Sequence, residues 1–201
     1  MMEQLEASNR ALFLALNAGE APSAAHLHIA KFLAKPLTIF LPLLLIALWL
    51  WGGDARRRLA LKAALASALG LILNTIIGWL YFHPRPEALA LGHTYISHAH
   101  DASFPSNHAT AFFAAGIILL APQTKGFGWA VIVAGLAMGW ARIFLGVHFP
   151  LDILGSLFTA GIAATALSPL WHKAGEPLTV FIERLYRLLL APFIGWGWIR
   201  R

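Results

Sequence analysis

Five apolar stretches, at about 29–51, 59–82, 107–122, 127–147 and 149–171, follow one another with only short breaks such as GGDARRR and PQTKG between them. A helix needs roughly 20 largely apolar residues to cross a hydrocarbon core of about 30 Å. Each stretch approaches that length, and a soluble core has no use for so many in succession. Composition agrees: 59% of the residues are hydrophobic, 12% are charged and the mean hydropathy is +0.68. Such a chain belongs in a bilayer, where backbone groups must be satisfied within each span. The expected fold is an all-α, polytopic membrane helix bundle with five or six transmembrane helices and interfacial helices at its ends. With no linker, repeat or low-complexity tract to divide it, the chain is expected to form one domain over residues 1–201.

The ends read differently from the middle. MMEQLEASNR places Glu3 and Glu6 before the first arginine and lacks the basic n-region of a secretory signal, so no cleaved leader is expected. Residues 9–18, NRALFLALNA, are apolar but too short to span, which suits an interfacial or short packed helix. The tail LTVFIERLYRLLLAPFIGWGWIRR mixes Glu183, Arg184 and Arg187 with Trp196 and Trp198, the pattern of a helix lying in the interface.

Charge gives the sidedness. Arg56, Arg57, Arg58 and Lys62 flank the first connection, Lys125 the third, and Lys173, Arg184, Arg187, Arg200 and Arg201 follow the last span. By the positive-inside rule these face the cytoplasm. The +6 net charge therefore points to lipid headgroups and cytoplasmic loops, not to nucleic acid. The connection at about 83–106 carries only Arg85, and the one near 148 carries no Lys or Arg, so both are expected outside. Alternation then brings Arg85, His108, Arg142, and His148 with Asp152 to one membrane face.

Those groups lie in HPRP, FPSNH and ARIFLGVHFPLD. Together they provide what phosphoryl transfer requires: cations for phosphate oxygens, a nucleophile, an acid and an orienting carboxylate. Arg85 and Arg142 can each grip phosphate through paired N–H groups. Ser106 and Asn107 stand where a helix begins, so free N–H groups and the positive end of its dipole meet the anion. His148 precedes Pro150, a residue suited to a helix start, and Asp152 falls in the first turn, within reach of one imidazole nitrogen. The other nitrogen is left to attack phosphorus, while His108 protonates the departing oxygen and later activates water. With no cysteine in the chain, thiolate chemistry and Cys-ligated metals are excluded. His83, His93, His98 and His100 crowd one outer loop, but His98-x-His100-Asp101 is a weak metal pattern, so neither metal nor cofactor is expected. Asn74 reads as an interhelical hydrogen-bonding residue.

Arg85-Pro86, Pro105-Ser106-Asn107-His108, and Arg142 spaced from His148 and Asp152 resemble the three-part signature of the type-2 phosphatidic acid phosphatase superfamily. The run HDASFPSNH, the chain's length and the GWGWIRR end are similar to its bacterial undecaprenyl-diphosphate phosphatases. The resemblance implies a metal-independent lipid phosphatase in which His148, His108 and Asp152 are catalytic, and Arg85, Ser106, Asn107 and Arg142 bind substrate. Three positions depart from the pattern: Gly78 replaces a lysine, Asn107 stands where Gly or Asp is usual, and Ala141 replaces a serine.

The expected substrate partner is a lipid diphosphate in the bacterial cytoplasmic membrane, cleaved on the periplasmic or exterior face. A phosphatase of phosphatidic acid or phosphatidylglycerol phosphate is the alternative within the class. A transporter with a His/Arg relay is the alternative outside it, and its ionisable groups would lie nearer mid-membrane. Oligomeric state is not legible.

Overall fold

The computed structural model describes residues 2–98 and 101–200, and among them every regular element is a helix. The helices are α1 (Met2–Leu16), α2 (Ala24–Ala34), α3 (Phe40–Trp51), α4 (Asp54–Leu80), α5 (Asn107–Leu119), α6 (Lys125–Phe144), α7 (Pro150–Leu189) and α8 (Ala191–Gly195). Short 3-10 turns at Pro36–Ile39 and Pro86–Leu89 begin at prolines, whose fixed φ and missing N–H suit a first helical position.

α5 is the axis of the bundle and packs against α4, α6 and α7. Its Ala109, Thr110, Phe112, Phe113, Ala114, Ala115 and Leu119 are all buried. Small residues permit this closeness, as is usual where helices cannot rely on a hydrophobic driving force. A Cβ on Gly128 of α6 would lie 2.6 Å from the backbone of Leu119. Outward, Ile72, Trp79, Val133, Phe158 and Ile162 are exposed. Large apolar side chains exposed on the outside, with alanines and glycines among the buried positions, describe a multi-pass membrane protein.

Among the described residues, four segments are long and apolar enough to cross a bilayer: Ala24–Trp51, Asp54–Leu80, Lys125–Phe144 and Pro150–Leu189. The stretch expected at 107–122 yields only the 13 residues of α5, about 20 Å at 1.5 Å per residue. The chain turns after Leu119, and the Thr124 hydroxyl donates to the Leu119 carbonyl at 2.8 Å. Being enclosed by three other helices, α5 need not cover the full hydrocarbon thickness itself.

The tail also differs from expectation. Instead of a separate interfacial helix, residues 178–189 continue α7, whose 40 residues run through Pro169 and Pro177. Tertiary contacts where α3 meets α4 hold this extension. Wholly buried Arg57 donates to Trp49 O (3.0 Å) and Arg200 O (2.7 Å), stacks 4.8 Å from the Tyr186 ring and lies 3.8 Å from Glu183. The Trp51 indole donates to Trp198 O at 3.0 Å, and Arg200 N donates to Leu50 O at 2.9 Å.

Candidate active site

At the opposite end from that clamp, the three motifs meet. Arg85 leaves α4 in an extended segment before Pro86; Ser106 caps α5, whose first turn holds Asn107 and His108; Arg142 ends α6; and His148 precedes α7, whose first turn holds Asp152. Arg85, Arg142, His148, Asp152 and Ser106 are all at least 96% buried.

The turn presenting His148 depends on Gly146, with φ +83. A Cβ there would lie 2.3 Å from His93 O, so residue 146 needs both the positive φ and the missing side chain. Past this turn, Asp152 caps its own helix. Its Oδ2 accepts from Phe149 N at 2.7 Å, from His148 Nδ1 at 3.1 Å and from the Ser103 hydroxyl. An ionised carboxylate accepts only, so Nδ1 carries the imidazole proton and Nε2 keeps its lone pair. Arg85 Nη1 donates to Val147 O at 2.8 Å and lies 3.3 Å from His148 Nε2. Burial pushes the His148 pKa down to about 4, helped by the charges of Arg85 and Arg142 and opposed by Asp152. The ring is neutral at pH 7 and suited to attack.

Among the described residues, buried Arg142 has no acceptor for Nε and Nη1, and the buried Ser106 hydroxyl has no partner. Buried donors are almost always satisfied. A guanidinium whose charge reaches His108 in the first turn of α5, and a hydroxyl at that helix's N-terminus, suit the oxygens of an anion. Arg142, His148, His98 and Arg85 all act electrostatically on His108, which places that imidazole in the same cationic field.

Two expected ligands are engaged otherwise. Arg85 gives Nε (3.0 Å) and Nη2 (2.8 Å) to Asp101 Oδ1. The Asn107 side chain accepts from Asn74 Nδ2 at 3.0 Å, and Asn74 also donates to Thr110, so Asn74 is the interhelical bonding residue expected of it. Both asparagines line a cavity of about 300 Å³ with Gly78, Trp79, Phe82 and Phe104. Of the loop histidines, His83 faces Glu6 at 3.5 Å and His98 joins the arginine cluster, while His100 lies outside the described residues.

Sequence reasoning missed Ser103 and the part that α1 plays at the site. Ser103 is wholly buried, and its backbone N–H is fixed by His83 O at 2.8 Å; only its place inside DASFPSNH hinted at a role. From α1, Asn9 Oδ1 accepts from Leu151 N at 3.1 Å and the Phe13 ring packs 5.2 Å from Phe149. Asn17, just beyond, donates to His93 O (2.9 Å) and Phe144 O (3.0 Å). The N-terminal helix thus braces both sides of the His148 turn, a tertiary role that leaves no local signal.

A buried imidazole–carboxylate pair facing two arginines at one end of a membrane bundle defines a candidate phosphoryl-transfer site. The chain belongs to the PAP2 superfamily, whose family model matches residues 59–176. It is 36% identical over 196 residues to YbjG of Escherichia coli (strain K12), a provisionally named undecaprenyl-diphosphatase, spanning 98% of this chain and 99% of that one. It is also 36% identical over 160 residues, 80% of each chain, to the undecaprenyl-diphosphatase BcrC of Bacillus subtilis (strain 168). In fold it is similar to the crystal structure of Aquifex aeolicus LpxE, with a TM-score of 0.57 and 23% identity over 77% of this chain and 91% of that one.

Proposed function

We propose that the protein is an undecaprenyl-diphosphate phosphatase, releasing the terminal phosphate of the polyprenyl diphosphate carrier on the outer face of the bacterial cytoplasmic membrane. The observation that carries this reading is the group of buried donors without acceptors, Arg142 Nε and Nη1 and Ser106 Oγ, at the site of the His148–Asp152 pair. The choice of a lipid diphosphate rests on the names of YbjG and BcrC. The face follows from the basic residues gathered at the other end.

The negative charge of the bound diphosphate offsets the arginines and lets His108 take up a proton; His148 Nε2 attacks the terminal phosphorus, the bond from phosphorus to the bridging oxygen breaks, and His108 delivers that proton to the oxygen as undecaprenyl phosphate departs. Asp152 stabilises the charge that develops on the ring. His108, now a base, takes a proton from water; the hydroxide attacks phosphorus, the N–P bond breaks and phosphate leaves. Arg142, Ser106 and the α5 N-terminus hold the oxygens throughout. Every role is filled by a side chain or backbone group, so metal-independent turnover is part of the proposal. The polyprenyl chain remains in the bilayer, approaching past exposed Trp79 and Phe82 at the outer end of α4.

Acid-free quenching of single turnovers with terminally labelled substrate tests this mechanism. Label is expected as an acid-labile, alkali-stable adduct on His148, and to disappear with His148→Ala. A labelled residue other than His148, or turnover undiminished in the variant, would overturn it.

A further inference from the structure

Arg85 and Arg142 come from segments far apart in the chain, yet one loop carboxylate joins them. Asp101 Oδ1 accepts from Arg85 Nε and Nη2, and the same oxygen lies 3.5 Å from His98 Nδ1. The other ring nitrogen, His98 Nε2, lies 3.4 Å from Arg142 Nη2. The Arg142 guanidinium has N–H donors and no acceptor, so it must be the donor there; Nε2 then carries the lone pair and Nδ1–H faces Asp101. The result is one chain of contacts, Arg85–Asp101–His98–Arg142, passing 6.0 Å from the His148 ring. We infer that Asp101 and His98 form a positioning bridge that sets Arg142 for the substrate's phosphate and Arg85 beside His148.

Three features support this reading. The bridge holds Arg142 at Nη2, while Nε and Nη1 have no acceptor among the described residues, so it fixes the guanidinium plane and leaves those two donors for phosphate. It turns Arg85 so that Nη1 lies beside His148. Gly78, at the position of the missing family lysine, lets the loop settle: a Cβ there would come within 3.2 Å of Ala102 Cβ, and Ala102 O accepts from Arg85 Nη2 at 3.2 Å.

The bridge rests on the phosphatase reading, and the test separates the two. Steady-state kinetics on the full-length protein in detergent with undecaprenyl diphosphate compare wild type with His98→Leu, His98→Gln and Asp101→Asn, with thermal unfolding reporting folding. Glutamine can donate to Asp101 and accept from Arg142, whereas leucine can do neither. His98→Leu and Asp101→Asn are expected to raise KM about tenfold, with a smaller change in kcat, the signature of weakened phosphate binding. His98→Gln should return KM to within about threefold of wild type, on the scale of one retained hydrogen bond. If His98→Leu does not fold, Asp101→Asn and His98→Gln decide alone. Wild-type KM in Asp101→Asn, or a glutamine variant as impaired as leucine while folded, would overturn the bridge. Inactive wild-type protein would instead overturn the phosphatase reading.

Discussion

At the residue scale, the proposed chemistry turns on one imidazole held neutral. His148 must be unprotonated to attack, and its pKa is lowered to about 4; the competent form therefore exists above that value and is lost as pH falls through it. The acid limb of kcat/KM is expected well under the ordinary histidine value near 6.5; a limb at about 6.5 would show that burial does not control the ring. The carboxylate behind it depends on Ser103, whose hydroxyl donates to Asp152. Ser103→Ala should lower kcat/KM about tenfold, the effect of one hydrogen bond to a charged group. Asp152→Asn should cost on the order of 10³-fold or more, because an amide does not enforce the productive tautomer. His148, Asp152, His108, Arg142 and Ser106 were legible from residue type and spacing, since both partners of each local pair lie within a helical turn or a known motif. Ser103 and His98 were not, because each gains its meaning from a partner more than 40 residues away.

At the scale of elements, hydrophobic runs gave the existence and order of the spans but not their ends. The short α5 is enclosed by its neighbours, so its length obeys packing rather than bilayer thickness. The tail looked interfacial because its charges stood among apolar residues. In the fold, Glu183 instead meets α4, facing buried Arg57, and just before the tail Glu176 lies 3.4 Å from Arg58. Removing a buried partner leaves uncompensated polar groups behind. Arg57→Met should therefore destabilise the bundle by roughly 3 kcal/mol, seen as a lowered thermal midpoint in detergent, while KM at low temperature stays unchanged because the clamp sits far from the site. An unchanged midpoint would mean that the tail is docked by its apolar residues alone. α1 braces the His148 turn through Asn9, Phe13 and Asn17, contacts that no periodicity within residues 2–16 encodes.

Across the whole molecule, the bundle has two polar ends with different tasks, a basic clamp on one and the candidate site on the other. The absence of cysteine makes their sidedness simple to measure. A single Ala88→Cys beside Arg85 should react with a membrane-impermeant maleimide added to intact cells, and Gln123→Cys should react only after permeabilisation; the reverse pattern would place the site in the cytoplasm. Convergence of the three motifs was legible because alternation of spans and the positive-inside rule are global constraints that need no contact to be known. The most direct test of the proposed activity is phosphate release by the purified protein in detergent, from undecaprenyl diphosphate and from phosphatidic acid in parallel, with and without EDTA. Strong preference for the diphosphate, undiminished by EDTA, is expected. Preference for phosphatidic acid would contradict the substrate, and loss of activity in EDTA would contradict the metal-independent histidine mechanism.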